Sequence, residues 1–353
     1  MFTFLSNAWD INRANGFINW FYSPDFVFGI AKYAICILIG IIVAYLVCIK
    51  EAEKFGIHHD DAIVCLTIIV PLAILGARIW YMVGDGVSTF SNYWTYSREV
   101  RGFSGFGSVF TTFFYVVLDV VGYNSYYGTY EGISGLAIHG GIIVAFSLAT
   151  ACCFWKKWKP LVLCDKVAPG LFIGQIFGRW GNFTNREAFG EYTDGLFAMR
   201  LPISAIRSSE ITDAMWEHVT DGINYVQVSP TFLYESMWNV MILVLMLLYI
   251  KHKKFNGEVC LLYLGGYGLG RMWIESLRTD QLLIPGTTIP VSQVLAACLF
   301  IFAVVTDIVV RVLISKGKLK GVTGEEAEET TEEKVEETIE DNTSESSETD
   351  QED

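Results

Sequence analysis

Seven long apolar blocks limit what this chain can fold into more than any other feature. They are Phe26–Ile49, Ala62–Val83, Ile133–Trp155, Leu161–Trp180, Thr231–Ile250, Val259–Glu275 and Ile289–Leu313. Each is close to the roughly 20 residues that a helix needs to cross about 30 Å of hydrocarbon. Of the 353 residues, 52% are hydrophobic and 18% charged, and a soluble domain of that length could not hide so much apolar surface. The expected fold class is an all-α integral membrane protein with about seven transmembrane helices.

The formal net charge of −13 belongs to one end of the chain. From Gly324 to Asp353, 15 Asp and Glu stand against the single Lys334, leaving 24 Lys and Arg against 23 Asp and Glu elsewhere. Residues 1–320 are therefore expected to form a nearly neutral membrane-embedded domain. Residues 321–353, rich in Glu, Thr and Ser, should be a disordered acidic tail. Nothing in this charge pattern suggests a nucleic-acid partner. The eight cysteines fall in or beside the apolar blocks, without metal or disulfide spacing, and read as small buried side chains. The first 25 residues contain Asn, Asp, Arg and aromatics, so they do not read as a cleavable leader.

Lysine and arginine set an expected orientation. Lys50 and Lys54 follow the first block, and Lys156, Lys157 and Lys159 follow the third. Lys251, Lys253 and Lys254 follow the fifth, while Arg311, Lys316, Lys318 and Lys320 close the seventh. By the positive-inside rule these ends are cytoplasmic, the N-terminus is outside and the acidic tail inside. Two longer segments, 84–132 and 182–228, are then extracytoplasmic.

Within that frame, Gly178–Gly190 combines two arginines, a glutamate, two asparagines and three glycines at the end of the fourth block. A helix leaving a membrane needs a charge or two, not this mixture. Guanidinium forks beside flexible backbone suit a phosphate. Further polar groups lie inside the blocks, where they are costly: Arg78, His139, Tyr234 and Glu235, and Tyr267, Arg271 and Glu275 at steps of four, with Arg278 three further on. That spacing places the last four on one helix face. Ser229-Pro230 reads as a helix cap, and Gly266 and Gly270 as helix packing. Trp180, Phe183 and Phe189 read as interface aromatics. Arg271–Glu275 alone could be a structural ion pair, but Arg78, Arg179 and Arg271 together outnumber their obvious partners and point to an anionic ligand, a lipid phosphate being nearest. His139 reads either as a hydrogen-bonded helix-end histidine or as a general base. Glu187 and Glu235 could be counter-ions or proton carriers. Hydrolase, nucleotide-binding and metalloprotease motifs are missing, as are paired carboxylates for a divalent metal on the expected outer side. The chemistry is expected to need neither metal nor cofactor.

Four blocks resemble the prolipoprotein diacylglyceryl transferase family: Ile138-His139-Gly140-Gly141; Gly178-Arg179-Trp180-Gly181-Asn182-Phe183 with Asn185, Glu187 and Gly190; Ser229-Pro230-Thr231-Phe232-Leu233-Tyr234-Glu235; and Tyr267-Gly268-Leu269-Gly270-Arg271 with Glu275. The resemblance departs at Phe28-Gly29, where a tyrosine is usual before the glycine, and at Ser229, where many members have histidine. It implies a multi-pass enzyme of the bacterial cytoplasmic membrane. That enzyme transfers the diacylglyceryl group from phosphatidylglycerol to the lipobox cysteine of a prolipoprotein signal peptide, with membrane lipids around both substrates. The resemblance implies catalytic roles for His139, Arg179 and Arg271, and phosphatidylglycerol binding by Arg179, Arg271 and Asn182. It implies supporting roles for Glu187, Gly190, Glu235, Tyr267 and Glu275, and Arg78 joins them on its position. Two alternatives remain at this stage: a phospholipid transporter, which internal repeats and broken helices would favour, and a different phospholipid headgroup transferase.

Overall fold

A computed structural model describes residues 32–84, 86–102, 104–120, 123–124, 129–130, 138–219 and 224–321. The expectations for the first 25 residues, for Phe28-Gly29 and for the acidic tail lie outside them. In chain order the helices are α1 (Lys32–Glu53), α2 (His59–Gly84), α3 (Gly86–Thr95), α4 (Phe106–Val120), α5 (Ile138–Lys156), α6 (Pro160–Asn185), α7 (Asp213–Glu217), α8 (Thr231–Tyr249), α9 (Glu258–Glu275) and α10 (Val291–Ser315). The strands are β1 (Tyr123–Asn124), β2 (Thr129–Tyr130), β3 (Met199–Pro202) and β4 (Tyr225–Val228). The chain is mostly helical. Each of the seven apolar blocks corresponds to a helix over its described residues.

Among the described residues, six helices are long and apolar enough to cross a membrane, namely α1, α2, α5, α6, α8 and α10. The block expected as Val259–Glu275 forms α9, 18 residues long, but Glu258, Arg271 and Glu275 lower its apolarity. Tertiary packing holds it instead, because α9 lies against both α8 and α10. Its glycines explain how. A Cβ on Gly266 would stand 2.5 Å from Ile242 Cγ2 in α8, and one on Gly268 would stand 2.6 Å from the Ala296 carbonyl in α10. Close backbone approach of this kind is what small residues allow between membrane helices.

The chain divides into two compact units, each described by itself: residues 57–160, and residues 1–56 with 161–353. In the first, α2 packs along α5. Gly140 and Gly141, the glycines after His139, permit this contact: a Cβ on Gly140 would overlap the Gly76 carbonyl, and one on Gly141 would stand 3.3 Å from the Ala73 carbonyl. Lys156 Nζ meets Asp61 Oδ1 at 2.6 Å at one end of the pair. The segment 84–132 also holds two helices, α3 and α4, and the β1–β2 pair in the register Tyr123↔Tyr130.

In the second unit α1 lies along α6, with Gly170 against Cys48 and Gly40 against Phe177. Ala168 and Phe172 of α6, Met246 of α8 and Val259 of α9 form an apolar cluster. At one end of these helices, Asp165 of α6, 1% exposed, accepts the Gly257 and Cys260 N–H groups at 2.9 and 3.0 Å and pairs with Lys253 Nζ at 3.2 Å. The first amides of α9 would otherwise lack partners, and Gly257 has no side chain to cap them. Asp165 does that work from the neighbouring helix.

Residues 186–230 form a small lobe around the antiparallel β3–β4 pair, in the register Met199↔Val228 to Pro202↔Tyr225. Its core contains Phe183, Phe189, Met199, Leu201, Met215, Val226, Val228 and Phe232. Phe183 and Phe189 are thus core residues rather than the interface aromatics expected from sequence, while Trp180 is 36% exposed. Two further expectations are corrected. Helix α8 begins at Thr231 with Pro230 in the cap position and no side-chain cap from Ser229. Only Cys65, Cys152 and Cys153 of the eight cysteines are buried; Cys298 is exposed. Membrane helices need not turn small apolar side chains inward, because the lipid outside is equally apolar.

Candidate active site

Three helices bring the sequence-predicted charges together in the second unit. Helix α6 supplies Arg179 near its end, α8 supplies Glu235 near its start, and α9 supplies Arg271 and Glu275 in its last turns. Arg179 Nη2 lies 2.6 Å from Glu235 Oε1, and Arg271 Nη1 lies 3.2 Å from Glu235 Oε2. Arg271 Nη2 also lies 2.6 Å from Glu275 Oε2. One carboxylate therefore bridges two guanidinium groups, and a second carboxylate sits behind the second of them.

The two glutamates are buried, whereas the arginine side chains keep 19% and 13% of their surface exposed. Desolvated charges persist only with counter-charges close by. The carboxylates are locked into the structure, while the two arginine side chains keep part of their surface open. The expectation that Arg179, Arg271 and Arg78 outnumber their partners is corrected, because each has a carboxylate. Arg78 Nη2 lies 2.8 Å from Asp119 Oδ1 within the 57–160 unit.

Arg278, which the spacing placed on the α9 face, falls just past the helix. There it forms a bidentate pair with Asp280 at 2.8 and 2.6 Å. Burial alone would push the Asp280 carboxyl up, but the Arg278 guanidinium outweighs it and holds the group below the usual carboxylate range. Gln281 Nε2 donates to the Glu275 carbonyl at 2.6 Å. Sequence reading assigned no chemistry to the connection 279–290. Its visible sign was Arg278-Thr279-Asp280, an acid two residues from a base, a spacing too common to stand out.

The rest of the Gly178–Gly190 block acts as a bend. Helix α6 ends as Arg186 N–H bonds the Phe183 carbonyl and Glu187 N–H bonds the Asn182 carbonyl, both at 3.1 Å. Arg186 and Ala188 have φ of 58° and 57°, in the left-handed region that L-residues avoid at a cost of roughly 1–2 kcal/mol each. Surrounding bonds hold them there: Thr231 Oγ1 donates to the Ala188 carbonyl, and Thr279 N–H donates to the Phe189 carbonyl at 3.3 Å. Between them Glu187 accepts Asn185 Nδ2 at 3.2 Å. Gly190 bridges Arg278 and gives its N–H to the Ser229 carbonyl at 2.9 Å. A Cβ there would stand 2.5 Å from the Leu277 carbonyl, so only glycine fits.

Asn182 is partly exposed one turn beyond Arg179, and its side-chain amide has no hydrogen-bond partner among the described residues. Tyr267 lies one turn from Arg271 and stacks on Tyr263, centroids 6.2 Å apart. His139 is exposed in the first turn of α5, in the 57–160 unit with Arg78.

Residues 24–309 match the family model described as prolipoprotein diacylglyceryl transferase. A phosphatidylglycerol–prolipoprotein diacylglyceryl transferase of Streptococcus equi subsp. zooepidemicus is 32% identical over 275 residues, covering 77% of this chain and 88% of the relative. Proteins of the same name from Streptococcus uberis and Finegoldia magna are 32% and 33% identical, over 79% and 80% of this chain and 90% and 92% of their own.

Proposed function

The chain belongs to the prolipoprotein diacylglyceryl transferase family, and we propose that the Arg179–Glu235–Arg271 cluster is where it holds the phosphate of phosphatidylglycerol. It is a multi-pass membrane enzyme that transfers the diacylglyceryl group from phosphatidylglycerol to prolipoprotein. The acceptor is the lipobox cysteine of the signal peptide, in the bacterial cytoplasmic membrane, with α9 as the sixth of seven crossings. The N-terminus and the 182–228 lobe face outward and the tail faces the cytoplasm. The charge pattern of the loops supports that orientation.

In the reaction the cysteine sulfur attacks the glyceryl carbon that carries the phosphate ester. A C–S thioether bond forms, the C–O bond breaks with its electrons moving onto the phosphate, and glycerol 1-phosphate leaves. The leaving phosphate gains negative charge. Two fixed guanidinium groups in a water-poor site stabilise that charge most as it develops, which lowers the barrier rather than merely binding substrate. The observation that carries this reading is the convergence of Arg179 and Arg271, both partly exposed, on one buried carboxylate. Asn182, one turn out, adds a neutral donor for the headgroup, while Glu187, Gly190, Glu275 and Tyr267 hold the backbone and side chains of the cluster.

A free thiol has a pKa of about 8.5, so a proton acceptor raises its reactive fraction near neutral pH. We assign that role to His139, on the resemblance of its Ile-His-Gly-Gly block. Arg78 supports the 57–160 unit through Asp119. The deciding test is transfer from labelled phosphatidylglycerol to a lipobox peptide. Arg179→Ala should lose about a hundredfold to a thousandfold in turnover, the range seen when a preorganised charge-stabilising donor is removed. Near-normal turnover of a folded Arg179→Ala would remove the cluster from the mechanism. His139→Gln with wild-type turnover would remove the histidine as base.

A further inference from the structure

One helical turn deeper than the ion cluster, the same three helices carry a second polar layer. Gln175 stands four residues before Arg179, Asn239 four after Glu235, and Tyr267 four before Arg271, each step about 6 Å toward the middle of its helix. Asn239 lies on the buried stripe of α8 that runs from Glu235 through Ser236 to Met246 of the apolar cluster. It is 1% exposed, and among the described residues its Nδ2 has no hydrogen-bond partner. In the same layer Gln175 Nε2 donates to the Tyr263 hydroxyl at 2.8 Å, and Gln175 Oε1 is buried with no partner among the described residues.

Two orphaned amide atoms in one buried layer are costly, since each forgoes its hydrogen bonds to water without replacing them. An apolar pair of similar volume would fit a membrane helix better. The arrangement has the form of a site that a ligand completes. What the ligand must offer follows from position: an acceptor for Asn239 Nδ2, about one helical turn from a phosphate held at Arg179 and Arg271, on the side toward the hydrocarbon. In a glycerophospholipid the groups that follow the phosphate in that direction, by a few bonds, are the ester carbonyls. They accept hydrogen bonds and cannot donate them.

We propose that Asn239 donates its side-chain N–H to an ester carbonyl of the lipid, making the layer beneath the arginines a recognition site for ester-linked chains. Gln175 belongs to the same site. With its amide turned over, Tyr263 donates to the oxygen and the Gln175 N–H is free for the second ester. The proposal rests on the reading of the arginine cluster as the phosphate site. The esters take no part in bond making or breaking, because the reacting carbon is the one bonded to phosphate. Asn239 is therefore a specificity-determining residue, and a dialkyl ether lipid is chemically competent for the same transfer.

The test uses the full-length enzyme in vesicles, a lipobox peptide, and phosphatidylglycerol with either two ester or two ether linkages on chains of equal length. The wild type should favour the diester by about tenfold in kcat/KM, the discrimination expected when a buried donor is left unpaired. Asn239→Leu should bring that ratio close to one, chiefly by lowering turnover of the diester. Equal use of both lipids by the wild type, or an unchanged preference in a folded Asn239→Leu, overturns the proposal. The wild-type comparison needs no variant, so a poorly folding Asn239→Leu does not shelter it. Turnover of both lipids at the wild-type level by a folded Arg179→Ala would count instead against the reading of the arginine cluster on which the proposal rests.

Discussion

Glu235 sits between Arg179 and Arg271 with one oxygen committed to each, so its charge fixes two guanidinium groups at once. Glu235→Gln keeps the volume but removes the shared counter-charge. We expect kcat to fall at least about tenfold with helix content unchanged, since catalysis by oriented donors depends on where they are held; wild-type kcat would show that the arginines orient themselves. The same environment logic gives the opposite effect at Glu210 in the lobe. Burial pushes its carboxyl above the usual range, and the largely exposed Arg207 opposes this only in part. A raised folded-state value means that the stability linked to this proton is present below the unfolded value of about 4.3 and is lost as pH rises through the folded one. Glu210→Gln, neutral at every pH, should raise Tm at pH 7 and bring no gain near pH 4. An equal Tm difference at both pH values would refute the buried-charge account. Arg179, Glu235, Arg271 and Glu275 were visible in the sequence because charge inside apolar blocks is rare. Arg278 was visible on the α9 spacing, but its partner Asp280 and Glu210 were not, because charges in a polar segment look alike until burial separates them.

At the scale of helices, the Asp165 clamp and the ion cluster lie at opposite ends of the same three elements. Arg179 follows Asp165 by fourteen residues and Arg271 follows Gly257 by fourteen, so both arginines stand roughly 21 Å along their helices from one fixed joint. Equal spans from a common joint bring both guanidinium groups level with Glu235. Asp165→Ala would leave Lys253, itself buried, without its counter-charge and the Gly257 and Cys260 amides without their acceptor. A loss of roughly 3–5 kcal/mol is expected, as for breaking one side of a buried pair, and should appear as a large drop in Tm in detergent. Asp165→Asn retains an acceptor and should lose clearly less; equal losses would mean that only the charge matters. Sequence reading missed this joint. Asp165 begins a long apolar block where a single acid reads as an edge charge, and Lys253 reads as one of several basic exits. The glycines were more legible, since Gly266 and Gly270 at a spacing of four already implied close packing. Their neighbours in space, Trp238 and Ile242, follow only from the structure.

For the whole molecule, the testable statement is orientation. A green fluorescent protein fused after Gly321 should fluoresce, and alkaline phosphatase fused within the lobe near Asp213 should be active, because the first reports the cytoplasm and the second the outer side. Dark and inactive fusions in these positions would reverse the orientation taken from Lys and Arg. The division at residues 57 and 160 was not legible, since apolar blocks of similar length mark crossings without saying which of them pack together.

The sequence by itself determined that the chain is a helical membrane protein, and its motif blocks carried the family resemblance. Length and apolarity answer directly to the thickness of hydrocarbon, and charge within such blocks is rare enough to mark a candidate anion site. Only the tertiary structure decided how the charges pair, that Phe183 and Phe189 are core, that α9 is held by packing against α8 and α10, and that Asn239 and Gln175 share one buried layer. Each of these depends on contacts between residues far apart in the chain, brought together by helix register, and register is set by interlocking side chains that no local pattern records.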